Sequence, residues 1–175
     1  ENTKRYIDFA NEYGFSGVLV EGWNYGWEKS WPNNGEVFHF TKPYPDFDIE
    51  EITDYAKEKG VGLIGHHETG AATKNYEAQL DSALDFYNQY GVKAVKTGYV
   101  GNRMDKKEWH PSQYGVRHYL KVAQAMAQHK IMLDVHEPVV ASGLRRTYPH
   151  IMTREGARGQ EFNAEFVMEA VTQCK

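Results

Sequence analysis

The sequence predicts an α/β fold, a (β/α)8 TIM-type barrel present only in part as four to five βα units. Three observations predict it. A segment with helical apolar spacing, a stop residue and a short apolar run recur in that order four times. The apolar runs are near-continuous rather than alternating, as in parallel strands covered by helices. The loops after the runs are long and polar while the turns before them are short, which puts the chemistry on the face where strands end. An open doubly wound sheet is the alternative, but no glycine-rich phosphate loop opens any helix here.

The first unit is a helix over Asn2–Tyr13, with Tyr6, Ile7, Phe9, Ala10 and Tyr13 at helical spacing, stopped by Gly14. Phe15 to Val20 then reads as a buried strand ending at Glu21. In the second, a helix over Ile49–Lys59 stops at Gly60, and the strand Val61–Gly65 ends in His66-His67-Glu68. The third runs as a helix over Tyr76–Tyr90, Gly91, and the strand Val92–Lys96 ending in Thr97-Gly98. In the fourth, Val116–Gln128 exits through His129-Lys130 into the strand Ile131–Val135, which ends in His136-Glu137. Glycine at a helix exit is the expected cap because it takes the left-handed conformation cheaply. A fifth unit begins near Ile151-Met152-Thr153. A whole barrel takes about 200 to 250 residues. A chain of 175 residues, treated as one domain, is therefore expected to be part of one, with an early strand and the last ones outside it.

Apolar residues make up 41% of the chain, enough to bury a core. A net charge of −4 with eight scattered histidines gives no basic face for a nucleic acid. Cys174 is the only cysteine, so neither an intrachain disulfide nor a CxxC metal site is available. No apolar run approaches the roughly 18 residues of a membrane span. No leader follows Glu1, and any signal peptide is expected outside this sequence.

The strand ends deliver Glu21, the group His66, His67 and Glu68, then Lys96, then His136 and Glu137, with Glu155 and Glu161 following. Glutamates on different strands can supply the acid and the opposing carboxylate of glycoside hydrolysis, and clustered carboxylates also attract calcium. Equally, glutamates interleaved with Arg145, Arg146, Arg154 and Arg158 can form a solvated, salt-bridged loop. Trp23, Trp27 and Trp31 recur every fourth residue in a Gly/Asn-rich loop; they suit stacking on sugar faces or anchoring of the loop itself. His66, His67 and His136 could alternatively surround zinc.

His66-His67-Glu68-Thr69, Val95-Lys96-Thr97-Gly98, His136-Glu137-Pro138 and Gly143-Leu144-Arg145-Arg146-Thr147-Tyr148-Pro149 resemble glycoside hydrolase family 97, as does the run Arg154 to Phe162. The resemblance covers about residues 15–163, leaving Ala164–Lys175 as a generic amphipathic tail. It implies a calcium-dependent glycosidase acting on α-linked oligosaccharides in the periplasm or outside the cell. It further implies an N-terminal β-sandwich and remaining barrel strands that lie outside this sequence. Retaining members carry an aspartate nucleophile where this sequence has Gly98, so the resemblance points to an inverting α-glucosidase. It casts Glu68 and Glu137 as bases activating water, Glu161 as the general acid, and Glu137, Glu155 and Glu161 as calcium ligands. It also makes His66, Lys96 and His136 sugar contacts, to which the residue pattern adds Trp23. A retaining α-galactosidase of the same family and a catalytically inactive carbohydrate-binding barrel fragment are the competing expectations.

Overall fold

The computed structural model describes residues 1–28 and 31–157. Its elements follow the predicted order: α1 (Asn2–Tyr13), β1 (Gly17–Leu19), α2 (Ile49–Glu58), β2 (Gly62–Glu68), α3 (Thr73–Gln89) and β3 (Ala94–Gly98). A hairpin of β4 (Arg103–Met104) and β5 (Glu108–Trp109) intervenes before α4 (Gln113–Gln128) and β6 (Met132–His136). The short α5 (Leu144–Thr147) and β7 (Ile151–Glu155) complete the described chain. The five strands β1, β2, β3, β6 and β7 lie in that order and pair in parallel, which is the wall of a partial (β/α)8 barrel.

Local chemistry accounts for the repeated units. Gly14, at φ 73°, ends α1 in the left-handed conformation, and its N–H bonds back to the carbonyls of Ala10 and Asn11. The fourth unit makes the same turn with a lysine, Lys130 at φ 57°. The Asp48 carboxylate accepts from Glu51 N–H, and the Ser112 hydroxyl from Tyr114 N–H, so α2 and α4 start on capped ends.

The core fills the space between sheet and helices. Tyr76, Leu80, Leu84 and Tyr87 of α3 are buried, as are Val122 and Met126 of α4, with Leu63, Val95, Leu133 and Val135 supplied by the strands. Gly65 permits the closest of these approaches. A Cβ there would lie 2.3 Å from the Tyr87 ring, whose hydroxyl accepts from His66 N–H at 2.9 Å. Gly65→Ala is therefore expected to destabilise the fold by about 1–3 kcal/mol through overpacking, measurable by urea unfolding. No helix among the described residues is long and apolar enough to cross a membrane.

Candidate active site

In β2 the side chains alternate, so neighbours in sequence part company. His66 and Glu68 point toward the barrel interior, where Glu21, Lys96 and His136 act on the His66 ring. His67 points the other way, fully buried against the helices, with Nδ1 2.9 Å from the Tyr76 hydroxyl and its ring stacked 4.8 Å from that of Tyr87. The zinc arrangement of His66, His67 and His136 is thereby corrected: strand alternation puts His67 on the opposite face. Burial pulls the pKa of His66 down to about 4, leaving a neutral imidazole at neutral pH.

Glu68 is 5% exposed. Its Oε1 accepts from Gly70 N–H at 2.7 Å and, more weakly, from Val100 N–H at 3.4 Å. Glu137 directly follows β6 and reaches across to the first residue after β3, where its Oε2 accepts from Tyr99 N–H at 2.7 Å. Consecutive amides of the loop after β3 thus hold the two carboxylates side by side. Desolvation by burial, with a smaller push from the Glu137 charge, raises the Glu68 pKa to about 7 against the hydrogen bonds that would lower it. Gly98 makes room for this pair. In register with Glu68 across β2 and β3, it would carry a Cβ only 2.0 Å from Glu68 Oε2.

A chain of charges crosses the strand ends beside the pair. Lys96 Nζ lies 3.3 Å from Glu21 Oε1 and 3.1 Å from Glu155 Oε2. Burial would lower the Lys96 pKa, but the hydrogen bond to Glu155 and the charge of Glu21 outweigh it and raise the value. The Lys96 hydrogen bond in turn lowers the pKa of Glu155. His136 sits between two carboxylates, Nδ1 3.4 Å from Glu137 Oε2 and Nε2 3.7 Å from Glu155 Oε1. The parallel register that sets His136 opposite Glu155 creates this arrangement.

The structure therefore gathers Glu68, Glu137, Glu155, His66, Lys96 and His136. Trp23 does not join them, which corrects its reading as a sugar contact. It is 3% exposed, donates from Nε1 to the His66 carbonyl at 3.0 Å, and stacks on Phe86 at 5.8 Å. The tryptophan that borders the site is Trp27, whose ring lies 5.7 Å from that of His66. The site also contains Glu21, a strand-end residue legible as such in the sequence, and the amides of Tyr99 and Val100, which no side-chain pattern announces. Glu161 and the tail from Ala164 lie outside the described residues.

Carboxylate oxygens of Glu137 and Glu155 on adjoining strands are the hard donors that calcium takes. Among the described residues no three His, Cys, Asp or Glu side chains are grouped to hold a metal ion. The two carboxylates fit such an ion as part of a set, with further oxygens needed.

Comparison with known proteins places this geometry. The glycoside hydrolase 97 family profile matches residues 1–157, so the likeness takes in α1, ahead of the segment from residue 15 expected from the motifs. A family 97 enzyme from Pseudoalteromonas sp. strain K8, solved in complex with acarbose, is 52% identical with a TM-score of 0.87; the match covers 93% of this chain and 26% of that one. A variant of an enzyme of that family from the same strain, in complex with panose, is 53% identical with a TM-score of 0.89 and the same coverage. The retaining α-galactosidase of Bacteroides thetaiotaomicron is 30% identical over 162 residues, 90% of this chain and 21% of that protein. The chain thus spans between a fifth and about a quarter of the length of these relatives. The profile match over most of the chain, joined to the strand-end glutamates and histidines, means that the chain belongs to glycoside hydrolase family 97.

Proposed function

We propose that this chain is the catalytic core of an inverting α-glucosidase, whose remaining barrel strands and β-sandwich lie in the rest of the parent protein. The observation that carries the reading is the Glu68–Glu137 pair seated over a side-chain-free Gly98. An inverting enzyme activates a water with a carboxylate on the face of the sugar opposite the leaving group, and a retaining one needs a nucleophilic carboxylate there instead. With Gly98 the strand end offers no such nucleophile, and the Glu68 carboxylate fills the place where its Cβ would stand. A base whose pKa lies near 7 is matched to taking a proton from water near neutral pH.

On this reading Glu68 and Glu137 draw the proton from the attacking water, and Glu161 protonates the departing glycosidic oxygen. The neutral His66, with Lys96 and His136, holds the sugar hydroxyls. Glu137, Glu155 and Glu161 would hold calcium, which when bound supplies positive charge beside the reacting bond. Acarbose and panose, the ligands of the 52–53% identical relatives, are built on α-linked glucose or its mimic, which favours a glucoside over a galactoside. The second reading, a retaining α-galactosidase, draws on the name of the 30% identical relative.

The test follows the product anomer by proton NMR when the full-length parent protein cleaves an α-glucoside, with and without EGTA. Initial release of the β-anomer, lost on chelation and restored by calcium, is the expected result. Initial release of the α-anomer would overturn inversion. Hydrolysis of neither α-glucosides nor α-galactosides would leave a carbohydrate-binding role.

A further inference from the structure

We propose that His110 and Tyr119 are positioning residues that hold the main chain of Glu137 in a strained conformation and so aim its carboxylate. The proposal rests on the reading of Glu137 as a working base. Glu137 adopts φ 46°, in the left-handed region that strains a residue with a side chain and persists only where the surroundings impose it. It also precedes Pro138, and a following proline pushes a residue toward extended backbone. Nothing in the local sequence favours the conformation. What sustains it is tertiary.

Every polar atom of the Glu137 backbone is engaged. Its N–H donates to the Glu155 carbonyl at 3.0 Å. Its carbonyl oxygen accepts from the Tyr119 hydroxyl at 2.5 Å and faces His110 Nε2 at 2.9 Å. Nε2 also lies 2.8 Å from the Tyr119 hydroxyl, and Nδ1 faces the Gly101 carbonyl at 3.2 Å; His110 donates to Glu137 in the tautomer that carries the Nε2 hydrogen, the one this proposal requires. The two donors come from different elements: Tyr119 from α4, and His110 from the segment between β5 and α4. Both residues are buried, and their rings stack at 5.9 Å, with Tyr119 also packed edge-on against Tyr99 at 4.9 Å. Tyr99 in turn supplies the amide that receives the Glu137 carboxylate. One aromatic group therefore fixes both ends of the same residue.

The β4–β5 hairpin now has a purpose in the site. It carries His110 under the strand end, and Gly115 lets α4 close over it: a Cβ at Gly115 would meet the His110 carbonyl oxygen at 2.0 Å. The polar atoms of His110 and Tyr119 engage the Glu137 and Gly101 carbonyls and each other, so both act through the main chain of Glu137 rather than on substrate.

The experiment uses the full-length parent protein and an α-glucoside substrate, measuring kcat, KM and thermal melting for Tyr119→Phe, His110→Ala and His110→Gln beside Glu137→Gln. Small misplacement of a reacting group costs up to about 10²-fold in rate. Tyr119→Phe and His110→Ala are each expected to lower kcat about tenfold or more with KM little changed, since the sugar contacts stay in place. His110→Gln, which keeps an N–H donor, is expected to recover part of the rate lost in His110→Ala. Melting temperatures that fall while kcat per folded molecule stays at the wild-type value would overturn the proposal, because that is what packing alone predicts. Full kcat in Tyr119→Phe and His110→Ala with a dead Glu137→Gln would overturn it too, while leaving Glu137 as the base. An active Glu137→Gln would remove the reading beneath it.

Discussion

Glu68→Gln, made in the full-length parent protein, is expected to lower kcat by about 10²- to 10⁴-fold, the usual worth of a positioned general base. The amide cannot take a proton from water, yet it keeps the shape of the carboxylate and one acceptor for the Gly70 N–H. Wild-type kcat/KM is expected to fall as the pH drops below about 7, where Glu68 becomes protonated. The residual activity of the variant should lack that limb. The same substitution has an opposite consequence for stability. Below pH 4.5, its ordinary value, Glu68 is protonated in folded and unfolded chains alike and carries no penalty. Between pH 4.5 and about 7 the unfolded chain gives up the proton while the folded chain keeps it, so stability is lost across that window and stays at the lower value above it. The shift from 4.5 to about 7 corresponds to about 3 kcal/mol. Scanning calorimetry at pH 4 and pH 8 checks this. The variant should gain on the wild type at pH 8 and lose the advantage at pH 4, and a constant difference would count against the burial-raised pKa.

Gly98→Asp should inactivate the enzyme without converting it to retention. The new Cβ would stand 2.0 Å from Glu68 Oε2 and 2.9 Å from its Cδ. Glu68 would have to leave the Gly70 and Val100 amides, and two carboxylates would then compete for a space that desolvates both. Overpacking alone is worth about 1–3 kcal/mol, and the unpaired charge adds to it. Pairing Gly98→Asp with Glu68→Ala removes the obstacle, so the double variant should melt higher than Gly98→Asp alone. That non-additivity identifies the contact as the cause. Measured together, melting temperature and product anomer separate a steric effect from a chemical one; a single Gly98→Asp that melts like the wild type and stays active would contradict the geometry.

The barrel wall was legible because each unit states itself twice, once in the periodicity of its helix and once in its apolar strand. Helix bounds agree within a few residues for α1 and α2, while α3 and α4 begin three residues earlier than the apolar spacing suggests, since Thr73 and Gln113 open them with polar turns. The β4–β5 hairpin was not legible: strands of two residues leave no pattern to read. Its turn through Asp105 and Lys106, both at positive φ, is set by contacts such as the Asp105 bonds to Thr73 and Tyr114. The strand-end glutamates and histidines were legible as chemistry-bearing, but which tryptophan faces the site was not. A loop has no period, so nothing in the sequence distinguishes buried Trp23 from Trp27 beside His66. His110 and Tyr119 lie far along the chain from Glu137 and are joined to it only by the fold.

The amides that hold the paired glutamates belong to Gly70, Tyr99 and Val100, and every one is main chain. Short of proline, no substitution at those three positions can delete a donor. These donors are therefore insulated from mutation at their own positions, whereas the proton affinity of the two glutamates also depends on side chains that substitution can change. Descendants of such a site can retune the pH at which it works, by changing what covers Glu68, without having to rebuild the geometry in which it works.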